Sequence, residues 1–121
     1  MESNKSMSVR SRKNSFAYAF SGLLQLFKQE PNVKLHALAT IAAITAGIAR
    51  HINSMQWTAI VFAIGLVWIT EALNTCIEKL CNLWCENKWH PEIKIIKDIA
   101  ASAVLIAAVV SISIGIIVFF L

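Results

Sequence analysis

The stretch ITEALNTCIEKL, residues 69–80, closes a long apolar run that opens near Trp57. It puts two carboxylates and an amide where a membrane span would carry only hydrocarbon. Glu71, Asn74 and Glu78 follow one another at steps of three and four, so on a helix they form a single stripe. With Trp57 at one membrane face, the helical rise sets Glu71 about 21 Å in and Glu78 about 32 Å in. A hydrocarbon core is roughly 30 Å thick, so Glu78 emerges at the far boundary and Glu71 lies about a turn and a half below it. An ionised acid at that depth costs at least about 2.5 kcal/mol and tends to face the bundle interior. Three uses fit the spacing. Glu71 can be a hydrogen-bonded link between helices, with Asn74 pairing across a homo-oligomer interface. It can be the carrier of a proton-coupled transporter, or the reactive group of a membrane enzyme.

The rest of the chain supports a membrane setting. Of its 121 residues 57% are hydrophobic and only 15% charged, with a formal charge of +4. A water-soluble domain averages under about half apolar. The charges cluster in the N-terminal arm (Lys5, Arg10, Arg12, Lys13) and between Glu78 and Asp98. A nucleic-acid binder would instead spread Lys and Arg over one exposed face, so no nucleic-acid partner is expected. The long polar arm before the first apolar run argues against a secretory signal peptide. Cys76, Cys81 and Cys85 contain no CxxC pair and read as small apolar filler rather than as a disulfide framework.

The expected organisation is one all-α membrane domain over residues 1–121. A mobile polar arm covers 1–12. An amphipathic helix over 13–29 carries Phe16, Phe20, Leu23, Leu24 and Phe27 on one side, is too polar to span, and should lie in the membrane interface. Pro31 breaks it after Glu30. Spans are expected over 33–49, 55–83 and 99–121. Lys and Arg are dense before the first span and in the 79–97 connection, while Arg50 stands alone in the 50–54 turn. The positive-inside rule therefore places the N-terminus in the cytoplasm.

The ordered set "FSGLLQLFKQEPNVKLH", "EALNTCIEKLCN" and "HPEIKIIKDIAASAVLI" resembles the prokaryotic diacylglycerol kinase / undecaprenol kinase family from about Phe16 to Leu121. The family hallmark reads E-x-x-N-[ST]-A-I-E, followed by a short link, a Lys-Asp pair and an apolar span. The resemblance implies an inner-membrane homotrimer with active sites shared between neighbouring subunits. It implies transfer of the ATP γ-phosphate to the hydroxyl of a membrane lipid, diacylglycerol or undecaprenol. On this resemblance Glu71 is the catalytic base, facing the lipid, and Glu30 and Glu78 hold Mg²⁺. Nucleotide contacts fall on Tyr18, Glu30, Asn74, Glu78, His90, Lys97 and Asp98, with Arg10 or Arg12 as a further one. The chemistry suits these roles. Mg²⁺ takes oxygen ligands, usually one or two carboxylates completed by phosphates and water. A partly desolvated carboxylate can accept a hydroxyl proton, and phosphoryl transfer asks mainly for positioning and charge neutralisation. This chain departs from the family pattern at Asn82, where an acid is usual, and at Pro31. The pattern Glu30-x-Asn32-x-x-x-His36 and the His90-Pro91 pair lean toward the undecaprenol branch.

Overall fold

The computed structural model describes residues 9–121, with side chains from Arg12 onward. Within them lie four helices: α1 (Val9–Gln29), α2 (Asn32–Ala49), α3 (Ser54–Trp84) and α4 (Pro91–Phe120). Three of them, α2, α3 and α4, are long and apolar enough to cross a membrane. Helix α1 already includes residues 9–12, before the expected start at Lys13, because Arg10, Arg12 and Lys13 are good helix formers and no breaker intervenes. Of the expected arm, residues 1–8 lie outside the described residues. Helix α4 likewise starts eight residues before the expected span. His90 caps it by accepting the Glu92 backbone N–H on Nδ1, and Pro91 occupies the first turn, where its missing N–H costs nothing. The charged turn from Glu92 to Asp98 is thus continuous with the apolar span that follows.

The turns between α2 and α3 and between α3 and α4 are closed by local chemistry. Helix α2 ends with His51 in the left-handed region at φ 50°, while His51 N–H bonds the Ile48 carbonyl and Ile52 N–H bonds the Gly47 carbonyl. That is the paired pattern of a Schellman ending. Two residues on, Asn53 and Gln56 cap α3 reciprocally, at 2.8 and 2.9 Å. Helix α3 ends the same way, with Glu86 at φ 54° and Asn87 N–H on the Asn82 carbonyl. These endings hold the α2–α3 and α3–α4 pairs antiparallel. At the closed end of the α2–α3 hairpin, Arg50 donates from Nη1 to the Phe119 carbonyl at 2.9 Å, tying that turn to the end of α4.

Helices α3 and α4 pack most closely. The buried positions of α4 are Ile93, Ala100 and Ala107, seven residues apart, and α3 buries Ile60, Ala63 and Cys81 among its own positions. A seven-residue repeat keeps one seam in contact along two helices, and small residues let the backbones approach. Ser111 adds a cross-helix bond from Oγ to the Ala63 carbonyl at 3.0 Å. Large apolar side chains such as Leu38, Phe62, Leu73, Ile106 and Ile117 point outward. This reverses a water-soluble bundle and suits a hydrocarbon surround.

Gly47 is required by packing. A methyl group there would stand 2.6 Å from the Trp57 ring and 3.1 Å from Ile52. Gly47→Ala should therefore overpack the α2–α3 turn and destabilise the fold by about 1–3 kcal/mol. A lowered midpoint of thermal unfolding in lipid–detergent micelles checks this.

Candidate active site

The stripe on α3 is present, and it is buried on the inside of the bundle. Glu71 is 2% exposed, which makes it the bulkiest side chain that the fold encloses completely. A carboxylate enclosed among apolar helices needs a partner, and α2 supplies it: His36 Nε2 lies 3.0 Å from Glu71 Oε2. One helical turn away the same two helices meet again. Trp68 donates from Nε1 to Thr40 Oγ1 at 2.9 Å, and Thr40 donates back to the His36 carbonyl at 2.7 Å. Trp68 in turn packs on Phe27 of α1, with ring centroids 5.8 Å apart. Residues 36 and 40 of α2 thus step along residues 71 and 68 of α3, and the end of α1 is held against the same layer.

Further along the stripe, Asn74 Oδ1 and Thr75 Oγ1 are buried without a hydrogen-bond partner among the described residues. Glu78 is half-buried and forms no ion pair among the described residues. Asn82 closes the stripe and accepts a 2.6 Å bond from Lys97 Nζ of α4. An amide accepts this bond without neutralising the lysine. The Asn82 departure therefore leaves the Lys97 charge free to act on an anion. Asp98 faces away from that bond and pairs with Lys94 at 2.6 Å on the exposed side of the helix.

The fold gathers the sequence-expected site residues unequally. Glu71, Asn74 and Glu78 share one α3 face, and Lys97 joins it through Asn82. Glu30 sits at the junction of α1 and α2, half-buried, its backbone carbonyl accepting from Val33 N–H. His90 stacks edge-on against Trp84, with centroids 5.5 Å apart, while it caps α4. Tyr18 is exposed on α1. Arg12 is exposed, and the Arg10 side chain lies outside the described residues. Sequence reading passed over His36, Thr40 and Trp68 as site elements. Their signal was present as two polar pairs at helical spacing in otherwise apolar spans, His36/Thr40 and Trp68/Glu71.

Two cavities flank this layer. One, of about 420 Å³, lies between α1 and α3 and is lined by Gly22, Gln25, Gln29, Thr75 and Lys79 among others. The second, of about 340 Å³, lies between α2, α3 and α4 and runs from His36 and Thr40 past Val67 and Ser111 to Phe119. Its wall is almost entirely apolar, and His36 is its ionisable group. Among the described residues no cluster of three or more His, Cys, Asp or Glu stands close enough to hold a metal ion. A cation bound by Glu30 or Glu78 would draw its remaining ligands from elsewhere.

Fold and site together define a small helical membrane protein whose buried polar groups gather on one face of its central span. The chain belongs to the prokaryotic diacylglycerol kinase family, whose model matches residues 17–119. It is similar to the diacylglycerol kinase of Synechocystis sp., at 35% identity over 101 residues; these make up 84% of this chain and 58% of that enzyme. It is similar also to the undecaprenol kinase of Bacillus subtilis, at 36% identity over 105 residues, 87% of this chain and 85% of that enzyme. Both relatives are named as kinases, phosphotransferases with an alcohol acceptor, and a kinase family implies ATP as phosphate donor. No solved structure matches the chain.

The Thr40 link is open to a direct check. Thr40→Val keeps the volume and removes the acceptor, leaving the Trp68 N–H unpaired between helices. A loss of about 1–3 kcal/mol in unfolding free energy is expected, together with a shift in Trp68 fluorescence.

Proposed function

We propose that this chain is an ATP- and Mg²⁺-dependent lipid kinase of the inner membrane. It transfers the γ-phosphate of ATP to the primary hydroxyl of undecaprenol or diacylglycerol, giving undecaprenyl phosphate or phosphatidic acid. The observation that carries this reading is the α3 stripe. A fully buried carboxylate, Glu71, leads to an amide and a carboxylate that have no partner among the described residues, and to a lysine at the end of the span. One helix face thus offers a proton acceptor at lipid depth and nucleotide-binding groups at the boundary.

In this reading the lipid chain lies along the apolar cavity between α2, α3 and α4, which ends at His36 beside Glu71. Glu71 accepts the hydroxyl proton as the lipid oxygen bonds to the γ-phosphorus and the bond to the β-bridging oxygen breaks, releasing ADP. Lys97 offsets phosphate charge. Asn74, with its Oδ1 unpartnered, orients the nucleotide, and Tyr18, His90 and Asp98 add contacts once the nucleotide is bound. Glu30 and Glu78 fit a divalent cation, since both are carboxylates without a cationic partner among the described residues. Mg²⁺ held by them would neutralise the charge on the phosphate oxygens. Helix α1 lies in the cytoplasmic interface, which puts Glu30 level with the cytoplasmic end of α3. Three subunits share the sites as a homotrimer, and the unpartnered Asn74 and Thr75 are groups that a neighbour or a ligand would satisfy.

The test is phosphate transfer from labelled ATP by purified protein in mixed micelles, with undecaprenol and diacylglycerol in parallel. Transfer to one or both lipids is expected. Glu71→Gln should lower kcat by about 10²–10⁴-fold while nucleotide binding persists. Glu30→Gln and Glu78→Gln should raise the Mg²⁺ concentration needed for half-maximal rate. Absence of transfer to either lipid by folded, Mg²⁺-supplied protein would reject the kinase reading.

A further inference from the structure

Glu71 has its hydrogen-bond partner in His36, and that pair has a built environment on every side. The imidazole is held at its backbone, since the His36 carbonyl accepts from Thr40 Oγ, which is itself fixed by Trp68 Nε1–H. Trp68 is braced by Phe27 of α1. The His36 side chain is 17% exposed against 3% for Glu71, and it is His36 that lines the apolar cavity. A Glu71 that takes up a hydroxyl proton starts as a carboxylate and can only accept, so in that reading Nε2 carries the proton of the 3.0 Å contact and donates to Oε2. That bond occupies one carboxylate oxygen and sets the plane of the other.

We propose that His36 is a positioning residue for Glu71. Its Nε2–H clamps Oε2, so that Oε1 is presented in one orientation to the hydroxyl of the acceptor lipid. The inference rests on Glu71 being the proton acceptor of the lipid kinase reading. A purely structural link would serve as well with the carboxylate in any rotamer. A clamp on one oxygen serves the reaction, because rates depend steeply on the alignment of the group that takes the proton. Thr40 and Trp68 extend the clamp to α1. The orientation of Glu71 is therefore coupled to the seating of that helix on α3.

The experiment compares His36→Leu and His36→Gln with the wild type in the micelle assay, with thermal unfolding measured on each. Gln can place an amide N–H near the position of Nε2, and Leu cannot. His36→Leu should lower kcat roughly tenfold to a hundredfold with KM for ATP and for lipid changed less than about threefold. His36→Gln should recover most of that loss. Both variants should remain folded, His36→Leu with a lowered unfolding midpoint because Glu71 loses its partner. If His36→Leu keeps the wild-type kcat, the positioning role is wrong. It is equally wrong if His36→Gln falls as far as His36→Leu while both stay folded, because an imidazole that only donates a hydrogen bond is replaceable by an amide. If the two variants lose activity only in proportion to lost folded protein, the pair is structural and the proposal fails. Inactivity of the wild type itself toward both lipids would strike at the kinase reading instead, so the two failures are separable.

Discussion

A carboxylate placed among apolar helices has to be paired, and the Glu71–His36 contact answers that requirement. Its consequence is a fixed register between α2 and α3. Residue 36 stands opposite 71 and residue 40 opposite 68, so the hairpin joining them has one permitted length. The Schellman ending at His51 and the Asn53–Gln56 capping box deliver that length, and Gly47 lets Trp57 close over the turn. Removing one partner of such a pair would leave a charge buried and unmatched, which is more costly than never having built the pair. The contact is therefore better understood as a specifier of arrangement than as a source of net stability.

The second organising feature is the seam between α3 and α4. Its buried residues are mostly small, Ala63 on α3 and Ala100 and Ala107 on α4, and on α4 they recur every seven residues. Close approach along that seam brings the start of α4 beside the end of α3, which is how Lys97 reaches Asn82. Both helices rise for about 45 Å, half as long again as a hydrocarbon core. Their charged ends must therefore protrude on one side, where the polar end of the stripe is also found. Glu71 and Lys97 belong to one continuous layer because α4 packs along α3 as far as Asn82.

The outward-facing large apolar residues complete this picture. In water they would be a liability, and in hydrocarbon they are the solvent-matched surface. Helix α1 meets this bundle through Phe27, whose ring packs on Trp68 beside the layer that holds Glu71.

Much of the architecture follows from composition and spacing. Three apolar runs, a break at Pro31, two short polar turns and a polar stripe at steps of three and four define the helices and the face that matters, because helical period and span length are local properties. A boundary moved where local chemistry extended a helix past its apolar core, at Pro91, and α1 likewise takes in residues before Lys13. Tertiary structure alone decided which group meets Glu71, that Lys97 bonds Asn82 while Asp98 turns to Lys94, and where the apolar cavity lies. His36 and Glu71 are separated by 35 positions. Periodicity says that Glu71 faces inward, but only the packing of α2 against α3 says that His36 faces it.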